Sequence, residues 1–345
     1  MIRSARNSNP PHFALTRTVV RALVLALIGV FGANQSMAAD RVELVAGKDG
    51  KPGSKLQGDI VDIRSGQLTL RRTDGREDAY PLARIAKWET TWPANAEEAR
   101  RRVRERKFAE AVELFRSAAA GDNRGWIKRA LIAEAIGCYR ELNQPIRAGD
   151  LFVSLSQNDP DTPYLDALPL AWTPVVDPPR ELQEAADRWL AIADSPAAVL
   201  LGASWLISLG HPERVMPTLQ KLTTNRDVRL ALLAETQLWR TKSATAAESE
   251  VERWGKVIER LPRSLRPGPY FVLGQTFAGR NEAERAALAF LRVPVEYPEQ
   301  VALSAESLEA AAAQLDRLDR KPESQELRRE LAALRASLPA ATTKP

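Results

Sequence analysis

The chain has 345 residues, with 49 Lys and Arg, 44 Asp and Glu, two His and one Cys. The single cysteine excludes an intramolecular disulfide. The first 39 residues hold four arginines and no acidic residue. Without them 45 basic and 44 acidic residues remain, so the overall charge does not indicate a nucleic-acid-binding protein.

Residues 1–39 have the layout of a secretory signal peptide. Four arginines lie in the first 21 residues, an uncharged and mostly apolar run spans 22–33, and Ser36-Met37-Ala38 is a small-x-small cleavage site. We predict cleavage after Ala38 or Ala39 and a periplasmic or secreted protein without stable membrane insertion. A retained anchor is the alternative, although the apolar run is shorter than the roughly 20 residues that span a bilayer.

Residues 40–93 have the pattern of a small β module. Short apolar segments alternate with glycine turns, and Asp74-Gly75 is a hairpin signal. The pattern predicts four or five short strands and resembles the small SH3-like or Sm-like barrels. An oligonucleotide-binding barrel is the alternative, but only Tyr80 lies among the basic residues and nearby acids neutralise them. We therefore interpret 71–78 as a solvated hairpin.

Residues 94–339 are rich in helical periodicity, most clearly at 267–298. Apolar or small residues recur at helical spacing, a Gly-Arg-Asn turn follows, and a second stripe begins. Seven places in this stretch fit one pattern, aromatic-x2-Leu-Gly-x2-aromatic, then Ala-x3-Phe, then Pro. They are Tyr270, Leu273, Gly274, Phe277, Ala286, Phe290 and Pro298.

This pattern resembles the tetratricopeptide repeat. The Ala-x3-aromatic step recurs at Ala111, Ala148 and Ala185, each 37 residues from the next. The resemblance implies a mainly α fold, a tetratricopeptide-like α-solenoid over 94–339 preceded by a small all-β barrel-like module and followed by a tail at 340–345. It also implies protein–protein interaction, as a scaffold or assembly factor in the cell envelope. Pro294 is a departure, which predicts an early end or a kink in the second helix.

A proline-rich segment at 159–179 interrupts the array. Its six prolines exclude a helix of ordinary length, but its leucines and Trp172 are too apolar for a free linker. We predict an ordered loop that packs against the helices, and such a loop can also line a binding site.

The resemblance places the partner-binding residues beside the packing stripe of each first helix. In the late repeat these are Phe271, Gln275 and Ala278, and in the earlier copy they include Arg140. Phe271 has an equally weighted alternative, in which it packs under the next repeat.

The chain shows no catalytic, cofactor or metal motif. Cys138 lies in an apolar helical stripe and is predicted to be a core residue, whereas His211 lies in a predicted turn. One His and one Cys downstream of the leader cannot form a Cys/His zinc site. We predict a protein or peptide partner, no nucleic acid, no cofactor and no enzyme activity; the sequence does not indicate an oligomeric state.

Two alternatives for the function remain open. A cell-envelope hydrolase with paired carboxylates is one, because Asp and Glu carry no spacing signature. A polysaccharide-binding protein is the other, suggested by eight tryptophans. Four of these occupy apolar helical stripes, which favours core packing, and they are Trp189, Trp205, Trp239 and Trp254.

Overall fold

The structure is a computed structural model that describes residues 39–46, 53–243 and 245–337. Within these ranges a small antiparallel sheet of five strands precedes thirteen α-helices. The predicted order, a β module followed by a mainly helical part, is therefore confirmed. The predicted signal peptide and the tail at 340–345 lie outside the described residues.

The sheet has the strand order β4-β3-β2-β1-β5, and every neighbouring pair is antiparallel. The long β2 pairs with both β1 and β3, with a register irregularity between Ile60 and Asp62. The strands are β1 (Asp40–Leu44), β2 (Lys55–Arg64), β3 (Gln67–Arg71), β4 (Glu77–Pro81) and β5 (Ile85–Glu89).

The predicted hairpin at Asp74-Gly75 joins β3 to β4. Gly75 has φ 84°, a left-handed conformation that glycine adopts without steric cost. Arg71 bonds Glu77, and Arg72 bonds Asp78 at 2.6 Å, so the arginines of this hairpin are paired with carboxylates. The basic and acidic side chains of this hairpin therefore neutralise each other in pairs.

The thirteen helices follow the sheet. They are α1 (Ala94–Arg104), α2 (Phe108–Gly121), α3 (Gly125–Glu141), α4 (Pro145–Asn158), α5 (Arg180–Leu190), α6 (Pro196–Ser208), α7 (Met216–Leu222), α8 (Val228–Lys242), α9 (Glu248–Arg260), α10 (Pro267–Gly279), α11 (Ala283–Glu296), α12 (Val301–Arg317) and α13 (Lys321–Ala336). Pro294 lies inside α11, which continues to Glu296, so the predicted early end of this helix is wrong.

The sheet packs against the first helices and is hydrogen-bonded to α3. The indole N–H of Trp126 on α3 donates to the carbonyl oxygen of Ile60 on β2 at 3.0 Å. Ile63 and Leu68 of the sheet are completely buried in the same cluster as Phe115 of α2. One hydrophobic core therefore spans the sheet and the beginning of the helical part.

The same turn recurs between four pairs of consecutive helices. One residue has a left-handed φ between 52° and 62°, and these residues are Arg106, Asn143, Asn281 and Asp319. The next N–H donates to the carbonyl oxygen five residues earlier at 2.8–2.9 Å. This 6→1 bond is that of the Schellman motif, which satisfies a carbonyl at the helix end and turns the chain sharply.

The recurring Ala-x3-aromatic places all lie in the core. Their relative exposure is at most 2% at Ala111, Phe115, Ala148, Phe152, Ala185, Trp189, Ala286 and Phe290. At Gly274 of α10 an added Cβ would come within 2.6 Å of the Phe290 ring of α11. The small residue thus lets two helices approach closely, as the sequence predicts.

The proline-rich segment is packed against the helical part. Leu165 and Leu168 are 3% and 5% exposed, and the N–H of Val175 donates to the carbonyl oxygen of Ser208 on α6 at 2.9 Å. These contacts attach the proline-rich segment to the helices that follow it.

The late helix α12 contacts the early helix α3. The backbone N–H of Ala302, in the first turn of α12, donates to the Glu141 carboxylate at the end of α3 at 2.8 Å. Arg140 donates to the side-chain oxygen of Gln300, and Val301 is buried in the same cluster as Cys138. Residues about 160 positions apart in sequence therefore meet, and the helices between them border a cavity.

Among the described residues, no helix is both long enough and apolar enough to cross a membrane.

Candidate functional site

A cavity of about 600 Å³ lies where α3 ends and α10 and α12 begin. Part of the proline-rich segment, from Leu168 to Thr173, forms one wall. The volume is within the range of ordinary ligand sites, roughly 300–1,000 Å³. The loop thus lines a cavity.

Two tryptophans build the aromatic part of the wall. The indole N–H of Trp205 on α6 donates to the carbonyl oxygen of Pro169 at 3.0 Å, which satisfies its polar atom. Trp172 lies against the backbone of Gly268 at the start of α10. Both rings line the cavity, and Leu168, Leu170 and Leu303 extend the apolar surface.

Arg240 of α8 forms hydrogen bonds with the proline-rich wall of the cavity and with α6. Its guanidinium donates to the carbonyl oxygens of Ala171 at 2.9 Å and Ser204 at 3.1 Å, and to the hydroxyl of Ser208 at 2.7 Å. Burial lowers the pKa of Arg240 to about 10. Within the described chain its hydrogen-bond partners are all neutral. The Arg240 guanidinium therefore has a structural role, in which it connects the proline-rich wall to α6.

Three carboxylates line the cavity: Glu141, Asp166 of the 3₁₀ turn Leu165–Ala167, and Glu306 of α12. Desolvation is the main cause that raises the pKa of Glu141, whereas the same cause acts on the pKa of Asp166 and Glu306 at residues that stay exposed to solvent. The Glu141 side chain is 6% exposed and caps α12 through Ala302. Asp166 and Glu306 form no ion pair with the described residues.

Two arginines also line the cavity, and both are engaged. Arg140 donates to Gln300 and lies 3.9 Å from the Glu141 carboxylate. Arg335 of α13 pairs with Glu309 at 2.6 Å. The charges around the cavity are therefore mixed: Arg140 acts on Asp166 and Arg335 acts on Glu306, although neither carboxylate forms a direct ion pair with the described residues.

The predicted partner-binding residues are not all brought together. Arg140 lies on the cavity, whereas Phe271, Gln275 and Ala278 do not line it. Phe271 is 4% exposed, and its ring centroid lies 5.3 Å from that of Phe290. The structure buries Phe271 against Phe290 of α11, the second helix of its own pair, rather than leaving it exposed beside the packing stripe. A binding role for Gln275, Ala278 or Arg140 stays a prediction.

Three residues on the cavity were not singled out from the sequence: Asp166, Glu306 and Arg335. Trp205 was interpreted as a core residue, but it is half-buried on the cavity wall. Trp189, Trp239 and Trp254 are at most 1% exposed, as predicted. The only available signal for the site was the apolar character of the proline-rich segment.

The two residues considered for catalysis lie apart from the cavity. Cys138 is 3% exposed, and burial raises the pKa of its thiol to about 12, so it stays protonated at neutral pH. His211 precedes the 3₁₀ turn Pro212–Arg214, with a side chain 43% exposed. The described ranges contain no group of three or more His, Cys, Asp and Glu residues arranged to hold a metal ion.

Together these features define a mainly helical protein with an N-terminal antiparallel sheet and a partly apolar, carboxylate-bearing cavity. The chain matches no protein-family model, and comparisons with curated proteins and with solved structures give no match.

Proposed function

We propose that the protein is an exported helical-repeat binding protein whose cavity holds a segment of a protein partner. The observation that carries this proposal is the cavity itself, bordered by helices distant in sequence and by an apolar, proline-rich wall. Binding would serve a scaffold or assembly role in the cell envelope, in the periplasm or outside the cell.

The proposed tetratricopeptide-like solenoid is supported by two repeated features. Four helix pairs share the same left-handed turn. Buried Ala-x3-aromatic steps occur in α2, α4, α5 and α11. A stack of similar helix pairs typically exposes a continuous concave surface for a partner.

The proposed SH3-like module is supported by the strand arrangement. The long β2 takes part in pairing with both β1 and β3, and its irregularity near Ile60 bends a strand of this kind. A 3₁₀ turn, Leu82–Arg84, connects β4 to β5. These features are expected of a small sheet that curves toward a closed barrel.

Filling the cavity tests the binding proposal. Leu303→Trp adds bulk at the cavity wall, and Leu288→Trp is the matched control, since Leu288 is 62% exposed and does not line the cavity. With partners captured from an envelope extract, we expect the wild type and Leu288→Trp to retain the same protein and Leu303→Trp to lose it. Circular dichroism checks that both variants fold.

Equal capture by Leu303→Trp would place the binding surface elsewhere and contradict the cavity proposal. Export is tested separately by the intact mass of the protein from its native host. A full-length precursor in the membrane fraction would contradict the predicted cleavage after Ala38 or Ala39.

A further inference from the structure

We propose that the cavity selects an uncharged, proline-containing segment of the partner, in which a backbone carbonyl oxygen accepts the indole N–H of Trp172. This inference rests on the proposed function, in which the cavity holds part of a protein partner. It goes further because it assigns the polarity of that segment and names the residue that recognises it.

The indole N–H of Trp172 forms no hydrogen bond with the described residues. Trp205, which lines the same cavity, donates its own N–H to the carbonyl oxygen of Pro169 at 3.0 Å. Trp239 and Trp254 also have unpaired indole nitrogens, but those atoms are buried in the core. Trp172 is half-buried on the cavity wall and its indole nitrogen, unlike theirs, is not buried, so it can donate to an occupant.

Three backbone carbonyls of the same wall already accept hydrogen bonds. The carbonyl oxygen of Leu168 accepts the N–H of Leu170 at 2.9 Å. The carbonyl oxygen of Pro169 accepts an indole N–H at 3.0 Å, and that of Ala171 accepts the Arg240 guanidinium at 2.9 Å. Backbone N–H groups of an occupant would lack acceptors against these carbonyls, which is costly away from water. A proline residue has no N–H and keeps its carbonyl oxygen, so it matches a wall with a free donor and engaged acceptors.

The charges around the cavity favour an uncharged segment. Arg140 acts on Asp166 and lies 3.9 Å from the Glu141 carboxylate. Arg335 acts on Glu306. Positive and negative groups are therefore mixed along the wall, and Asp166 and Glu306 occupy exposed positions where water solvates them. A charged occupant of either sign would meet a like charge and lose its own hydration, so electrostatic complementarity favours a neutral one.

The apolar part of the wall suits proline rings and aliphatic neighbours. Leu168, Leu170 and Leu303 line the cavity with the rings of Trp172 and Trp205. Proline-rich segments bind aromatic-lined grooves as an extended polyproline II helix, whose backbone carbonyls have no internal partner. Because this helix is formed before binding, such a segment loses little conformational freedom in the cavity.

A sugar is the other kind of occupant that stacks on tryptophan rings. Each sugar hydroxyl both donates and accepts hydrogen bonds, so a sugar site needs several free polar side chains. Here Arg140 donates to Gln300, and Arg335 pairs with Glu309 at 2.6 Å. The engaged arginines and the leucine-rich wall therefore favour a peptide over a sugar.

Four capped tetrapeptides serve as probes: N-acetyl, C-amide forms of Leu-Pro-Leu-Pro, Leu-Ala-Leu-Ala, Leu-Pro-Lys-Pro and Leu-Pro-Glu-Pro. Isothermal titration calorimetry measures their affinities for the whole chain. We expect Leu-Pro-Leu-Pro to bind roughly tenfold more tightly than the alanine peptide, which has two further N–H groups and more freedom to lose. The Lys and Glu peptides should both bind more weakly than Leu-Pro-Leu-Pro. The trisaccharide chitotriose, the probe for a sugar site, should not bind.

Trp172→Phe keeps an aromatic ring and removes the indole N–H. We expect it to bind Leu-Pro-Leu-Pro roughly fivefold more weakly, the effect of one neutral hydrogen bond. Trp88→Phe is the matched control, because Trp88 is 37% exposed and does not line the cavity. It should bind like the wild type, and circular dichroism checks that both variants fold. In magnetic resonance spectra of the isotope-labelled wild type, the indole N–H signal that Trp172→Phe lacks should shift when the peptide is added.

The outcomes separate this inference from the proposed function. Equal binding of the proline and alanine peptides would overturn the preference for proline and leave the cavity as a peptide site. Tighter binding of the Lys or Glu peptide would overturn the preference for a neutral segment. Unchanged affinity in Trp172→Phe, or an indole signal that does not move, would overturn the assignment to Trp172. Binding of chitotriose alone, or of no probe, would contradict both proposals.

Discussion

The indole ring of Trp172 lies against the backbone of Gly268, so closely that an added Cβ at residue 268 would come within 1.9 Å of the ring atom Cε2. This contact joins the proline-rich wall of the cavity to the first turn of α10. The wall and the helix can adopt this arrangement only because residue 268 has no side chain.

We expect Gly268→Ala to displace Trp172 and to lower the free energy of unfolding by ~1–3 kcal/mol, the usual effect of overpacking. Urea denaturation measures the loss, and tryptophan fluorescence reports the movement of the ring. Gly137→Ala is the control, because open space surrounds Gly137 of α3. That variant should be stabilised by about 0.5–1 kcal/mol. A neutral Gly268→Ala would show that the contact is not rigid.

Phe271→Ala should be strongly destabilising. The side chain is 4% exposed and packs against Phe290, and removal of a core phenylalanine typically costs ~3–5 kcal/mol. The midpoint of thermal or urea unfolding measures the effect. Leu288→Ala, at a position that is 62% exposed, should change stability little. A variant with unaltered stability but weakened partner binding would support the groove alternative instead.

Glu141 should make stability depend on pH. Burial is the main cause that raises its pKa above the ordinary value of 4.5, although Arg140, Arg106 and the bond from Ala302 oppose this rise. Because the folded protein then holds the proton more tightly than the unfolded chain, ionisation of Glu141 reduces stability as the pH rises through the window above about 4.5.

Glu141→Gln removes this titration and keeps an acceptor for the N–H of Ala302. We expect the stability difference between this variant and the wild type to shift in favour of the variant between about pH 4 and about pH 7. Urea denaturation across that range measures the difference. A constant difference would mean that Glu141 does not titrate differently in the folded state. Glu141→Ala loses the cap as well and should cost about 1 kcal/mol.

Arg240→Met should loosen the proline-rich wall. The substitution leaves the carbonyl oxygens of Ala171 and Ser204 without their donor, which predicts a loss of roughly 2–4 kcal/mol. Hydrogen exchange at residues 171–175 should rise, and unfolding experiments give the stability change. Arg180→Met is the control, because the Arg180 side chain is 88% exposed. Equal behaviour of the two variants would exclude a clamping role for Arg240.

Local patterns in the sequence predicted a good part of the fold. Asp74-Gly75 predicted the hairpin, and Gly75 adopts the left-handed conformation that glycine favours in such a turn. The Ala-x3-Phe step predicted the buried Ala286 and Phe290, and helical spacing placed Cys138 in the core. The early end predicted from Pro294 is wrong, because its missing N–H removes only one hydrogen bond near the end of α11 and the helix continues to Glu296.

The candidate site was far less predictable. Periodicity shows which stripe of a helix is apolar, but not which neighbour covers the residues beside that stripe, so Phe271 was left with two equal alternatives. Asp166 and Glu306 both line the cavity, but one lies in the proline-rich segment and the other on α12, and the two stretches share no local sequence pattern.

The sequence by itself determined the sheet, the helices and their recurring small and aromatic core residues, because these depend on spacing over a few residues. Only the tertiary structure decided that Glu141 meets Ala302, that Trp172 covers Gly268, and that a cavity lies between them. The physical reason is that each such contact depends on how every helix between the two residues packs on its neighbours. A short sequence pattern contains no information about that packing.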